Sequence, residues 1–161
     1  MLKKMEKIPK DVLVLIAIEL DIHSLLRFCA TDKRNQNLCN NPFLWIAKLK
    51  KDFGFVFKGD ISKAKHHYFY ILAHLNTHNL NGGMLFAIKD GNDDIAKYFI
   101  SKGADDLEEA LSWAARYGRK EIIDFVIPKV TTKIDWRKLI SHASAGGQRQ
   151  LVGDFLDKLY L

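Results

Sequence analysis

The chain opens on apolar runs at helical spacing, separated by polar breaks. Val12, Leu13, Ile16 and Leu20 recur every three or four residues, and Leu25, Leu26, Phe28 and Cys29 repeat the pattern. Such spacing gathers the side chains on one helix face. Pro9 can open the first helix, because its missing N–H would be unpaired there anyway. Asp11 follows in the first turn, where the helix dipole favours an anion. Asp21, with Ser24 beside it, can cap the second helix. Asn40, Asn41 and Pro42 break the chain, and Phe43, Leu44, Trp45 and Leu49 predict a third helix. Gly54 and Gly59-Asp60 then mark turns, and Lys65 to Leu75 reads as a helix rich in aromatics, a strut between the two halves of the chain.

The second half repeats itself. Segments beginning at Met84, Leu111 and Ile140 superpose on Gly91, Gly118 and Gly147. Four residues before each glycine stands Ala87, Ala114 or Ala143, and four after stands Ile95, Ile122 or Leu151. Apolar pairs follow at Phe99-Ile100, Val126-Ile127 and Phe155-Leu156. Each unit reads as two short helices around a glycine turn. A single unit cannot hide its own apolar face, so the units must stack, and three are near the minimum for stability. The final Leu159-Tyr160-Leu161 is apolar for a terminal cap; burial against the rest of the chain is one way to satisfy it.

The expected fold is therefore all-α: a three-helix module over residues 1–58, a connecting helix over 59–80, and about three helical repeats over 81–161. A hydrophobic content of 48% over 161 residues supports a packed core, and three prolines leave little room for linkers. Cys29 and Cys39 lack CxxC spacing and sit in helical apolar context, so they read as buried, reduced thiols of an intracellular protein. The net charge of +6 is uneven: residues 1–58 hold 11 Lys/Arg against 6 Asp/Glu, while residues 81–161 balance at 12 and 12. No tight basic cluster accompanies the excess, which argues against a nucleic-acid stripe. The apolar stretch from Val12 to Ile18 is interrupted by Glu19 and is too short for a signal peptide or a membrane span.

Catalytic motifs are absent. Gly82-Gly83 and Gly146-Gly147 lack the Lys-Ser/Thr of a phosphate loop. Asp93-Asp94, Asp105-Asp106 and Glu108-Glu109 fall at expected helix starts, where acids cap rather than catalyse. His67, His74 and His78 fall on one face of the predicted connecting helix, but no fourth ligand stands near, so neither a metal nor any cofactor is expected.

The order Ile8-Pro9-x-Asp11, Ile16, Leu20-Asp21, Leu25-Leu26, Pro42 and Leu44-Trp45 resembles an F-box over about 40 residues. F-boxes pack against the Skp adaptor of cullin–RING ubiquitin ligases. The resemblance implies that Ile8, Pro9, Val12, Ile16, Leu20, Leu25, Leu26 and Trp45 contact that adaptor or support the contact. Thr31 and Asn35 stand where the family prefers Val and an aromatic.

The recurring Ala-x-x-x-Gly with its Ile/Leu partners, and Lys102-Gly103-Ala104-Asp105 after the first unit, resemble ankyrin repeats. The period is shorter than the usual ankyrin 33 and the Thr-Pro-Leu-His start is missing, so the hairpin fingers are expected to shrink to loops or helix starts. Pro128 replaces the Ser-Lys-Gly-Ala exit in the second unit. An N-terminal F-box followed by Lys51-Asp52-Phe53-Gly54 and short repeats is similar to proteins of the large, amoebal giant DNA virus type. The ankyrin resemblance implies target binding on the first helices and loop tips, with Lys89, Asp90, Asp106, Arg116, Tyr117, Asp135 and Trp136 as candidates. Together the resemblances imply a monomeric, non-catalytic adaptor in the host cytoplasm or nucleus that brings an unknown protein target to a Skp–cullin ligase. It would bind neither nucleic acid nor membrane. A plain sequestering module is the other reading; DNA binding through the basic N-terminal half is a third, recognisable by steep salt dependence.

Overall fold

The computed structural model describes residues 8–54 and 56–161. Eleven α-helices carry these residues and no strand occurs among them. They fall into two compact units, the first ending at Phe69 and the second beginning at Tyr70. The division lies inside the aromatic-rich helix rather than at its ends.

The first unit holds α1 (Lys10–Glu19), α2 (Ile22–Ala30), α3 (Lys33–Cys39), α4 (Pro42–Phe53) and the start of α5 (Ala64–Asn76). The capping logic is local. Asp21 accepts hydrogen bonds from the His23 and Ser24 amides at 3.0 Å, and Asn41 accepts from the Phe43 amide with Pro42 at the first helical position. Helix α3 corrects the three-helix expectation. Its signal was Asp32, which accepts from the Asn35 amide at 2.8 Å and so nucleates a seven-residue helix of polar composition. The core gathers Leu13 and Ala17 of α1, Leu25 of α2, Leu38 of α3, and Leu44, Trp45 and Leu49 of α4. Trp45 donates to the Cys39 carbonyl at 2.7 Å and packs against both the Tyr68 and Phe69 rings of α5, at 5.4 and 5.3 Å.

Cys29 and Cys39 are joined in a disulfide. This overturns the reading of reduced thiols and removes the cysteine argument for a reducing compartment. The bond ties the last turn of α2 to the last residue of α3.

In the second unit three helical hairpins follow one another: α6 (Leu80–Asp90) with α7 (Asp93–Ser101), α8 (Leu107–Tyr117) with α9 (Lys120–Val126), and α10 (Trp136–Ala145) with α11 (Arg149–Tyr160). The turns are the same device used three times. Gly91, Gly118 and Gly147 take φ of 80°, 70° and 72°, a left-handed conformation that glycine adopts without penalty. The amide after each glycine bonds back to the recurring alanine: Asn92 to Ala87, Arg119 to Ala114 and Gln148 to Ala143, each at 2.8 Å. That back-bond satisfies a carbonyl orphaned at the helix end. The same alanines are buried, as the stack requires, with Ile95, Phe99, Ile122, Val126, Leu151 and Phe155. In the third unit Leu139 takes the buried place expected of Ile140, which is half-exposed.

Side chains also bridge successive hairpins in register. Asn81 clasps the Asp105 carboxylate and amide at 3.0 and 2.9 Å, and 27 residues on Glu108 accepts from Thr132 at 2.6 Å. Arg119 reaches back over Gly91 to the Ile88 carbonyl at 3.1 Å, and Gln148 lies over Gly118 in the matching position. Loops, not hairpin fingers, separate the units. The two residues that lengthen the second period lie in the loop 127–135, whose start is a 3-10 turn over Ile127–Lys129. The second half of α5 covers the first hairpin: Tyr70 donates to the Gly83 carbonyl at 2.6 Å, and Tyr70 and His74 meet the Phe99 ring edge-on. At the other end Tyr160 and Leu161 are 83% and 97% exposed, so the terminal apolar residues are not buried against the rest of the described chain.

Candidate functional site

Helix α1 has seven consecutive apolar residues, Val12–Ile18, yet only Leu13 and Ala17 are buried. Val12 and Ile16 remain 39% exposed and Leu15 64%. Leu26 of α2 and Phe43 of α4 are also open, at 43% and 65%. Such uncovered apolar area is costly in water at about 25 cal/mol per Å².

The predicted adaptor-contact residues thus separate into two sets. Pro9, Val12, Ile16 and Leu26 are exposed, and Ile8 and Leu20 are half-buried. Leu25 and Trp45 are 0% and 1% exposed, so they hold the helices in place and cannot themselves touch a partner. Leu15 and Phe43 belong with the exposed set and were missed. The helical spacing from Val12 would have included Leu15; Phe43 directly precedes the buried Leu44 and Trp45 and reads as part of the same apolar run. The Ile8 carbonyl is held by the Arg34 guanidinium.

Lys48 is the unexpected charge in this unit. Its ammonium is 1% exposed and donates to the Leu20 carbonyl at 2.8 Å and the Ile18 carbonyl at 3.3 Å, capping the C-terminus of α1. Asp52 pairs with it at 2.7 Å and also accepts from the Tyr68 hydroxyl at 2.6 Å. Burial, then the Asp52 carboxylate, raises the Tyr68 phenol far above its ordinary range. Glu19 and Lys51 add a surface ion pair.

In the second unit the predicted target-binding residues also divide. Lys89 and Arg116 occupy equivalent places on α6 and α8 and are exposed, as is Asp90. Tyr117 is half-buried with its ring 5.9 Å from that of Trp113. Asp106 and Asp135 are N-caps, accepting from the Glu109 and Lys138 amides at 3.4 and 3.0 Å. Trp136 is half-buried on Phe155, with rings 5.8 Å apart, and is part of the stack rather than an open anchor. A crevice of about 40 Å³ beside Thr132, Asp135 and Leu139 is too small for a metabolite. Phe86, 49% exposed, and Trp113 were not anticipated, although both stand five residues before a turn glycine.

The paired acids sit where capping expects them: Asp93 and Asp94 in the first turn of α7, Glu108 and Glu109 in that of α8. The three histidines do not share a helix face. Helix α5 ends at Asn76, and His78 lies beyond it with a left-handed φ of 54°. His67 is buried against Phe57, whereas His74 stacks on Tyr70 at 4.6 Å. No group of three or more His, Cys, Asp or Glu gathers for a metal among the described residues, and no described helix is long and apolar enough to cross a membrane. No protein-family model, no curated protein and no solved structure matches the chain.

Proposed function

We propose that the chain is a non-catalytic recruiting adaptor: its F-box-like unit grips a Skp-type adaptor of a cullin–RING ubiquitin ligase, and its ankyrin-like hairpins hold a protein target for ubiquitination. The observation that carries this reading is α1, an apolar helix with Val12, Leu15 and Ile16 uncovered inside the F-box-like segment. The protein supplies proximity and performs no bond chemistry. The resemblance to giant-virus proteins makes the host cytoplasm or nucleus the proposed setting.

A sequestering module that recruits no ligase is the second reading. It is favoured by the junction of α2 and α3, where Thr31 and the buried Asn35 bond to each other at 2.8 Å instead of presenting apolar bulk.

Capture by a purified Skp-type adaptor separates the two. Ile16→Glu and Leu26→Glu should abolish capture and leave the melting curve unchanged, since both side chains are exposed. Leu25→Glu is the wrong probe, because a charge at a fully buried site unfolds the unit. If the wild-type chain binds no Skp homologue, the adaptor reading is lost and the sequestering one remains.

A further inference from the structure

The faces of α6 and α8 that look away from α7 and α9 carry a paired pattern that the core does not use. Phe86 of α6 meets Trp113 of α8 edge-on at 6.4 Å, and Trp113 leads to Tyr117 at 5.9 Å. One turn beyond Phe86 and Trp113 stand Lys89 and Arg116, both exposed, and neither pairs with a carboxylate among the described residues. Of the nearby acids, Glu109 accepts from the Trp113 indole at 2.8 Å and pairs with Lys138 at 3.8 Å, while Asp90 is exposed beside Lys89 without an ion pair to it. The pattern stops at the third hairpin, where His142 and Ala145 take the equivalent places.

We infer that this strip binds an extended acidic peptide segment, with an apolar or aromatic side chain anchored on Phe86 and Trp113 and two carboxylates answering Lys89 and Arg116. The inference rests on the proposed target-binding role of the hairpins and supplies its chemistry. Packed helices lie about 8–10 Å apart, so the two cations sit one helix spacing apart. An extended chain advances about 3.3 Å per residue and turns every second side chain to the same face, so acids two positions apart stand about 6.6 Å apart on that face, an interval that the flexible Lys89 and Arg116 side chains close. A half-open Trp is a residue type that carries binding energy when a partner completes its burial, and Phe is enriched beside it at interfaces. Two isolated cations beside Glu109 suit point charges better than a continuous phosphate backbone.

The test uses the full chain and a fluorescein-labelled decapeptide with two glutamates two residues apart and a phenylalanine two residues beyond the second, so that all three share one face of the extended chain. Anisotropy should show saturable binding, weakened at least tenfold by Arg116→Glu, by Lys89→Glu and by Phe86→Ala, with circular-dichroism melts showing each variant folded. A decapeptide with lysines in place of the glutamates, or serine in place of the phenylalanine, should bind at least tenfold more weakly. No binding of the acidic peptide at 1 mM (on the order of the weakest specific contacts), equal binding by all three peptides, or tighter binding of a twelve-nucleotide oligothymidylate would each overturn the inference. Skp capture is measured separately on the same protein. Peptide binding without Skp capture sinks only the adaptor reading, and the reverse result sinks only this one.

Discussion

Lys48 shows what a single buried charge can hold. Its ammonium satisfies two carbonyls at the end of α1 and one carboxylate of its own helix. Asp52 is the open end of this pair, so removing Lys48 costs chiefly the two carbonyls left without their donor and the lost packing of its buried stem, together about 3 kcal/mol. Lys48→Ala should therefore lower stability in denaturant titrations by about that much, whereas Lys51→Ala, whose pair with Glu19 is at the surface, should cost less than about 1 kcal/mol. Asp93 carries the opposite sign. Burial raises its carboxyl; Arg119 and Lys97 pull it down, while Glu121 and Asp94 push it further up. One of its oxygens is buried without a hydrogen-bond partner. A carboxyl raised in the folded state favours folding at pH below the ordinary carboxylate range, and that contribution is lost as pH climbs through the raised value. Asp93→Asn should accordingly melt higher than the wild type at pH 7, with the gap closing towards about pH 3, where both side chains are neutral. A constant gap across that range would show that Asp93 acts through packing rather than charge. Neither residue was readable in advance: a Lys in a Lys-rich helix and an Asp in a first turn look like solvated charges until a neighbouring element covers them.

At the scale of elements the sequence was most informative where a local rule repeats. The glycine at left-handed φ and the alanine four residues before it were evident because every hairpin needs the same turn and the same close packing. Asp21 declared its helix by capping chemistry that involves only the next three residues, whereas Asn41, legible only as part of a chain break, caps α4. Helix α3 was missed because it has little apolar periodicity to detect; Asp32 alone announced it. The glycines of the third hairpin separate turn chemistry from packing. A Cβ on Gly146 would stand 1.8 Å from the Arg116 carbonyl oxygen, so α10 could not lie against α8. Gly147 has open space but a φ of 72°, and Gly153 has open space inside α11. Thermal melts should rank the alanine variants accordingly. Gly146→Ala loses about 3 kcal/mol through overpacking. Gly147→Ala loses about 1 kcal/mol to the left-handed conformation. Gly153→Ala gains about 0.5–1 kcal/mol in helix propensity. A neutral Gly146→Ala would mean that the second and third hairpins are not packed as closely as described.

For the whole molecule, the disulfide ties the fold to the proposed recruitment. Its absence from the sequence reading has the same origin as that of α3. Cys29 and Cys39 lie ten residues apart with no pairing motif, and only when α3 turns back against α2 do their Cα atoms come within 5.8 Å. Closing a loop of that length removes unfolded-state entropy worth about 2.5 kcal/mol. Reduction should therefore destabilise the first unit by about that amount. Hydrogen exchange should quicken at α2 and α3, where only Leu25, Asn35, Leu38 and Cys39 are buried, and stay unchanged through α6–α11. The proposed grip lies largely outside the closed loop, on Val12, Leu15 and Ile16 of α1, with Leu26 preceding Cys29 on α2. Capture of a Skp-type adaptor should thus persist in a reductant at temperatures where the unit stays folded, and a ligase-recruiting chain could work with its cysteines in either state. Loss of capture on reduction, with α1 exchange still slow, would place the contact on the segment from Thr31 to Asn35 instead. The polar character of that segment would then have to be part of the recognition rather than a departure from it.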